Sequence, residues 1–205
     1  MQTAQTQQHQ PLHPIHNSKE GTITTISGKK IDFNNLDPNN IDIMDIAHAL
    51  GKICRFGGHV NRFYSVAQHS VIVAHLVPEN CKKAALLHDA SEAYLGDVVK
   101  PLKILLGDAY GRIEYYFTST INYKFGIELT YEIEDEIKRA DRYALEIEHE
   151  CFRKNNINPF MDVMERLHLL SNLDHPAYSD KMAKTMFLGA YELIFNDRKT
   201  NMLCY

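Results

Sequence analysis

Hydrophobic positions recur at helical spacing along most of the chain. Ile43, Ile46, Ala47 and Leu50 form one such stripe and predict a helix over about 41–53. Val66, Val73 and Leu76 predict a second over about 65–77, with Pro78 as its boundary. The apolar run that follows predicts a central helix over 79–95, closed by Gly96 where a C-terminal cap belongs. Further helices are expected at about 108–125, 130–154, 159–171 and 178–196, each with a recurrent apolar face. Only Thr22–Ile26 and Lys30–Phe33 gather β-branched residues, on either side of Ser27-Gly28, and these predict a small hairpin. Asn34–Asn40, with Asp37-Pro38, is a turn-rich connector. Residues 1–20 hold too few apolar groups to offset the entropy of ordering and read as a flexible tail, in which His9, His13 and His16 are given no role. The expected fold class is all-α, a helical bundle with a small N-terminal β-hairpin. A single domain is expected over 21–205 around one core.

Composition narrows the function more than the fold. A formal charge of −4 leaves no basic footprint for general nucleic-acid binding, while a small phosphorylated ligand held by a few local cations stays compatible. Cys54, Cys81, Cys151 and Cys204 are irregularly spaced, which argues against a zinc ribbon or a disulfide framework and predicts a reducing, cytoplasmic setting. The polar N-terminus and the lack of a long apolar run predict neither a signal peptide nor a membrane span.

Chemistry enters where polar groups interrupt apolar runs. His88, Asp89 and Glu92 sit among Leu86, Leu87, Ala90 and Ala93, and on a helix their side chains converge on one side. A carboxylate there is poorly solvated unless a cation or hydrogen-bond donors meet it. His69 lies within Val66-Ala67-Gln68-His69-Ser70-Val71, and Asp141 shares a stripe with Ile137, Ala144 and Leu145. Together they complete a nitrogen and oxygen ligand set. Upstream, Cys54-Arg55-Phe56-Gly57-Gly58-His59 joins a planar cation to paired glycines that permit close approach of a ligand.

In the order H…HD…D, these residues resemble the HD-domain metal-dependent phosphohydrolases. The resemblance is carried by Arg55 to His59, Ser65 to Ser70, Leu86 to Lys103 and Ala140-Asp141, and covers about 41–150. Within that family the chain is most similar to the small bacterial 5′-deoxynucleotidases and the phage dATP triphosphohydrolases. The resemblance implies an HD-domain fold in which His69, His88, Asp89 and Asp141 hold one divalent transition metal. Mn²⁺, Co²⁺, Fe²⁺, Ni²⁺ and Zn²⁺ all suit such a set. It gives Glu92 the task of orienting or deprotonating water, and Asp97 that of handling the leaving group or the sugar hydroxyl. Arg55 can grip phosphate, and Lys100, Lys103 and His59 are further candidates for phosphate charge. Phe56, standing where the bacterial monophosphatases have Trp, is implied to lie beside the bound nucleotide as a substrate-binding residue.

The implied reaction is hydrolysis of a deoxynucleotide, either a 5′-monophosphate to nucleoside and phosphate or a triphosphate such as dATP to nucleoside and triphosphate. The implied partners are a small nucleotide substrate and further copies of the chain in a homo-oligomer. The implied place is the bacterial cytoplasm, or that of the host for a phage-encoded protein. The competing readings are a non-catalytic HD module that binds nucleotide or metal, and an alarmone or cyclic-dinucleotide hydrolase. Against the latter weigh the missing second-metal motif and synthetase domain. His48, His75, His149, His168 and His175 lack the pattern.

Overall fold

The computed structural model describes residues 21–60, 63–151 and 179–196. The expected tail, the helix at 159–171 and the end of the 130–154 helix lie outside the described residues. Strands β1 (Thr22–Thr24) and β2 (Lys30–Asp32) pair antiparallel, with Ile23 opposite Ile31. Gly28 takes the positive φ that their turn requires. The hairpin is fastened to the bundle by polar contacts: Ser27 donates its amide and hydroxyl to the buried Asp45, and Lys29 pairs with Asp42 at 2.8 Å.

Seven α-helices follow among the described residues. Helix α1 (Ile43–Lys52) starts at Asp42, whose carboxylate accepts from the Met44 amide. Helix α2 (Val66–Leu76) starts with a reciprocal capping box between Ser65 and Gln68. Every residue from Val66 to Ala74 is buried, as expected of a helix apolar all round. It is the hub against which α1, α3 (Lys82–Leu86), α6 (Tyr131–Glu150) and α7 (Asp180–Phe195) pack. Thr130 and Ser179 cap α6 and α7.

The expected continuous helix over 79–95 is broken. A 3-10 turn (Glu79–Cys81) leads into α3, and residues 87–91 then form turns before α4 (Glu92–Leu95) resumes. Successive i to i+3 bonds, such as Ala90 N to Leu87 O at 3.0 Å and Glu92 N to Asp89 O at 3.0 Å, hold the break together. On a regular helix adjacent residues diverge by about 100°; the irregular turns here leave both side chains beside His69, with Asp89 Oδ2 3.1 Å from His88 Nε2 and 3.6 Å from His69 Nε2. Gly96 closes α4 as expected, its amide bonded to Glu92 O.

Helix α5 (Lys100–Phe125) begins earlier than the expected 108–125 because Pro101 sits in its first turn, where its missing N–H costs nothing. Gly107, at φ 58° and ψ −144°, breaks α5 and separates an exposed stretch with Leu102, Ile104, Leu105 and Leu106 from the rest. The main apolar core lies around α2, and a smaller one of Ile31, Leu36 and Phe117 fills the space beneath the hairpin, where one core was expected. No described helix is long and apolar enough to cross a membrane.

Candidate metal centre

Three elements meet above the middle of α2. The Ser65 cap sets His69 in the second turn of that helix, facing the 87–91 turns on one side and α6 on the other. One ring nitrogen of each histidine is already committed. His88 Nδ1 lies 2.7 Å from the Ala85 carbonyl, which can only accept, so this nitrogen carries the proton. His69 Nδ1 lies 2.6 Å from Oε1 of Glu148, held below the usual carboxylate range because His69 and Arg55 outweigh the effect of burial. It therefore donates as well.

Both Nε2 atoms are buried and lack a hydrogen-bond partner among the described residues. They point at carboxylates without bonding geometry: His69 Nε2 is 3.1 Å from Asp141 Oδ1 and 3.6 Å from Asp89 Oδ2, and His88 Nε2 is 3.1 Å from Asp89 Oδ2. His69, His88 and Asp141 offer ligand atoms within 4.8 Å of one another. Two imidazoles fixed in the Nδ1–H form, with bare Nε2 atoms converging beside two carboxylates, fit a divalent cation with mixed nitrogen and oxygen ligands. Without one, the charges answer one another. Burial opposes a charged His88, but Asp89 and then Asp141 outweigh it and hold the imidazole up at about 9. Asp89 and Asp141 are lowered in turn, their burial outweighed by the two histidines and, for Asp89, also by Arg55. Asp141 lies at the mouth of the cluster, its side chain 46 % exposed, where its stripe on α6 had suggested the core side.

Glu92 flanks this cluster with its side chain only 6 % exposed. Oε2 has no partner among the described residues, and burial, reinforced by the charges of Asp89 and Asp97, pushes the carboxyl up to about 9. Lys103 approaches Oε1 at 3.6 Å and is bound more closely by Glu114 at 2.7 Å. Asp97 is half-buried and raised, chiefly by burial, with Arg55, Asp89 and Lys103 close enough to act on it.

Arg55 reaches in from a 3-10 turn (Arg55–Gly58) whose Phe56, Gly57 and Gly58 all have positive φ. Its NH2 is 3.0 Å from Glu148 Oε2 and its NH1 is 3.9 Å from Asp89 Oδ2. Phe56 lies under the guanidinium, 5.3 Å from centroid to Cζ, and against the His149 ring. His59 and Lys100 are exposed and make no contact with the cluster among the described residues.

Glu148 was not picked out from the sequence, where it belongs to the acidic run Glu146-Ile147-Glu148-His149-Glu150 and resembles a solvated face. The available signal is its spacing from Asp141. Seven residues apart on one helix, the two share a face, and they bracket the His69 ring at its two nitrogens.

No protein-family profile matches the chain. It is 47 % identical over 105 residues to the uncharacterized protein YfdR of Escherichia coli (strain K12), a match spanning 51 % of this chain and 58 % of that protein. It is 35 % identical over 136 residues to the uncharacterized protein RCAP_rcc00048 of Rhodobacter capsulatus, a match spanning 61 % of this chain and 69 % of that one. Neither name carries an activity. By that second similarity, the chain belongs to the same family as the Rhodobacter capsulatus protein.

Proposed function

We propose that this protein is a divalent-metal-dependent phosphohydrolase of the HD type acting on deoxynucleotides. The observation that carries the reading is the pair of histidines, each with Nδ1 held by an acceptor and Nε2 bare, facing Asp89 and Asp141. His69, His88, Asp89 and Asp141 would hold the ion. When bound, such an ion acidifies water and offsets phosphate charge.

The remaining side chains supply the rest. Glu92, buried beside the cluster with Oε2 unpartnered among the described residues, is the group to orient the attacking water, and to take its proton once a bound cation offsets the burial and the Asp89 charge that favour the protonated carboxyl. Asp97, shifted towards its protonated form at the rim, is the group to return a proton to the leaving oxygen or to hold a sugar hydroxyl. Arg55 offers a planar cation for a phosphate, beside Asp89. Lys103, tied to Glu114 and Glu92, steadies Glu92. A homo-oligomer in the cytoplasm is part of the same proposal.

The test strips the full chain of metal, restores Mn²⁺, Co²⁺ or Zn²⁺ separately, and offers ribo- and deoxynucleoside mono- and triphosphates, identifying products by chromatography and mass. Phosphate from deoxynucleoside monophosphates, or nucleoside and intact triphosphate from dATP, supports the reading and chooses between its two forms. No turnover with any metal overturns it in favour of a binding module.

A further inference from the structure

Glu148 is fully buried on α6 and receives three donors at once. Tyr64 Oη donates to its Oε1 at 2.7 Å, His69 Nδ1 lies 2.6 Å from the same oxygen, and Arg55 NH2 donates to its Oε2 at 3.0 Å. The donors come from far away in the chain, at separations of 84, 79 and 93 residues, so this convergence belongs to the tertiary fold and not to local geometry. A carboxylate is the one side chain that can accept on both oxygens in this way. Its charge does two further things. It makes the opposite nitrogen of His69 a stronger electron-pair donor, as outer carboxylates do for metal-bound imidazoles. It also fixes one edge of the Arg55 fork and leaves the other, with NH1 3.9 Å from Asp89, on the side of the ligand cluster.

We propose that Glu148 is a positioning residue that couples the two halves of the site: through Oε1 it aims His69 at the metal, and through Oε2 it presents Arg55 to an oxyanion beside that metal. This rests on the metal-centre reading above. An amide cannot replace the carboxylate. Glutamine has one acceptor oxygen, so its NH₂ must face either the His69 N–H or the Arg55 N–H, and one of the two contacts is lost. Substituting Arg55 alone removes the oxyanion contact and leaves the His69 contact intact.

The experiment uses the full chain, metal-stripped, with Glu148→Gln and Arg55→Lys variants whose folding is checked by circular dichroism and cooperative melting. Co²⁺ binding is read from visible absorption, inorganic phosphate binding from its perturbation of the Co²⁺ spectrum, and the His69 Nδ1 proton from its downfield NMR resonance. Glu148→Gln is expected to lose or shift that resonance and to weaken Co²⁺ binding by about 10–100-fold. Arg55→Lys is expected to keep both resonance and Co²⁺ affinity while binding phosphate more weakly. A folded Glu148→Gln protein with wild-type resonance and wild-type Co²⁺ affinity overturns the proposal. So does absence of the hydrogen-bonded Nδ1 resonance from the wild type, whatever the variants do. A wild-type protein that shows the resonance but takes up no Co²⁺ overturns the metal-centre reading itself, and this inference with it.

Discussion

The Tyr64 hydroxyl donates to Glu148 Oε1 across 2.7 Å, with both side chains closed to solvent. A hydrogen bond to a buried charged group contributes about 1.5–3 kcal/mol, and its loss leaves an acceptor that water cannot reach. Tyr64→Phe is therefore expected to lower unfolding free energy by about that amount in urea titration, with unchanged slope. Because Oε1 still holds His69, Co²⁺ affinity should stay near wild type. A Tyr64→Phe protein as stable as the parent would show that the contact contributes nothing.

Metal removal has a signature of its own. The donors are brought together only in the folded chain, so an ion at about a hundred times its Kd should stabilise the protein by about 2.7 kcal/mol, roughly 5–10 °C in Tm for a chain of this size. Chelation should reverse the shift. His88→Ala and Asp141→Ala should melt at the same temperature with and without Mn²⁺ or Co²⁺; an undiminished shift in both would place the ion elsewhere.

Helices α1 and α7 pack closely at Gly51. A Cβ there would stand 3.1 Å from the Asp180 carbonyl oxygen and 3.2 Å from the Lys184 amide nitrogen, both backbone atoms. Gly51→Ala gains helix propensity worth about 1 kcal/mol, but the overpacking forces α7 outward at a cost of about 1–3 kcal/mol. A net loss of stability is expected, larger for Gly51→Val. A stabilised Gly51→Ala protein would mean that α7 shifts freely.

His75 contributes an acid sensitivity of its own. Burial lowers its pKa below the ordinary 6.5, with Lys82 adding to the effect against the Val71 carbonyl that accepts from Nδ1. The unfolded chain therefore takes the proton first as pH falls. His75 costs no stability above 6.5, and stability is lost as pH drops from 6.5 through the lower folded value. His75→Gln, which can still donate to Val71, should lose less stability between pH 7 and pH 5 than the wild type. Equal losses would assign the acid sensitivity to other groups.

What could be read from the residues divides along a physical line. His69, the His88-Asp89 pair and Asp141 stood out because each sets a polar group into an apolar stripe, and all four meet in space. The hairpin and helices α1, α2, α6 and α7 fell within a few residues of the expected spans, since their caps and periodicity are local signals. The break between α3 and α4 was not legible. From 79 to 95 the chain has no glycine or proline, and Ala, Leu and Glu there favour an unbroken helix. It is the gathering of His88 and Asp89 beside His69 that accompanies the tighter turn. Glu148 was hidden for the opposite reason, because its partners Tyr64, His69 and Arg55 lie far off in sequence and, within α6, its seven-residue spacing from Asp141 is the one mark that sets it apart from its acidic neighbours.

That distance bears on how the protein is made. During synthesis, Arg55, Tyr64 and His69 leave the ribosome long before Glu148, which follows His69 by 79 residues. Until α6 has emerged and closed that loop, His69 has neither the carboxylate at its Nδ1 nor Asp141 at its Nε2. Until then the nascent chain carries only part of the proposed ligand set. Under the proposed metal-centre reading, uptake of an ion would be a late event, one that marks a chain whose sixth helix has docked.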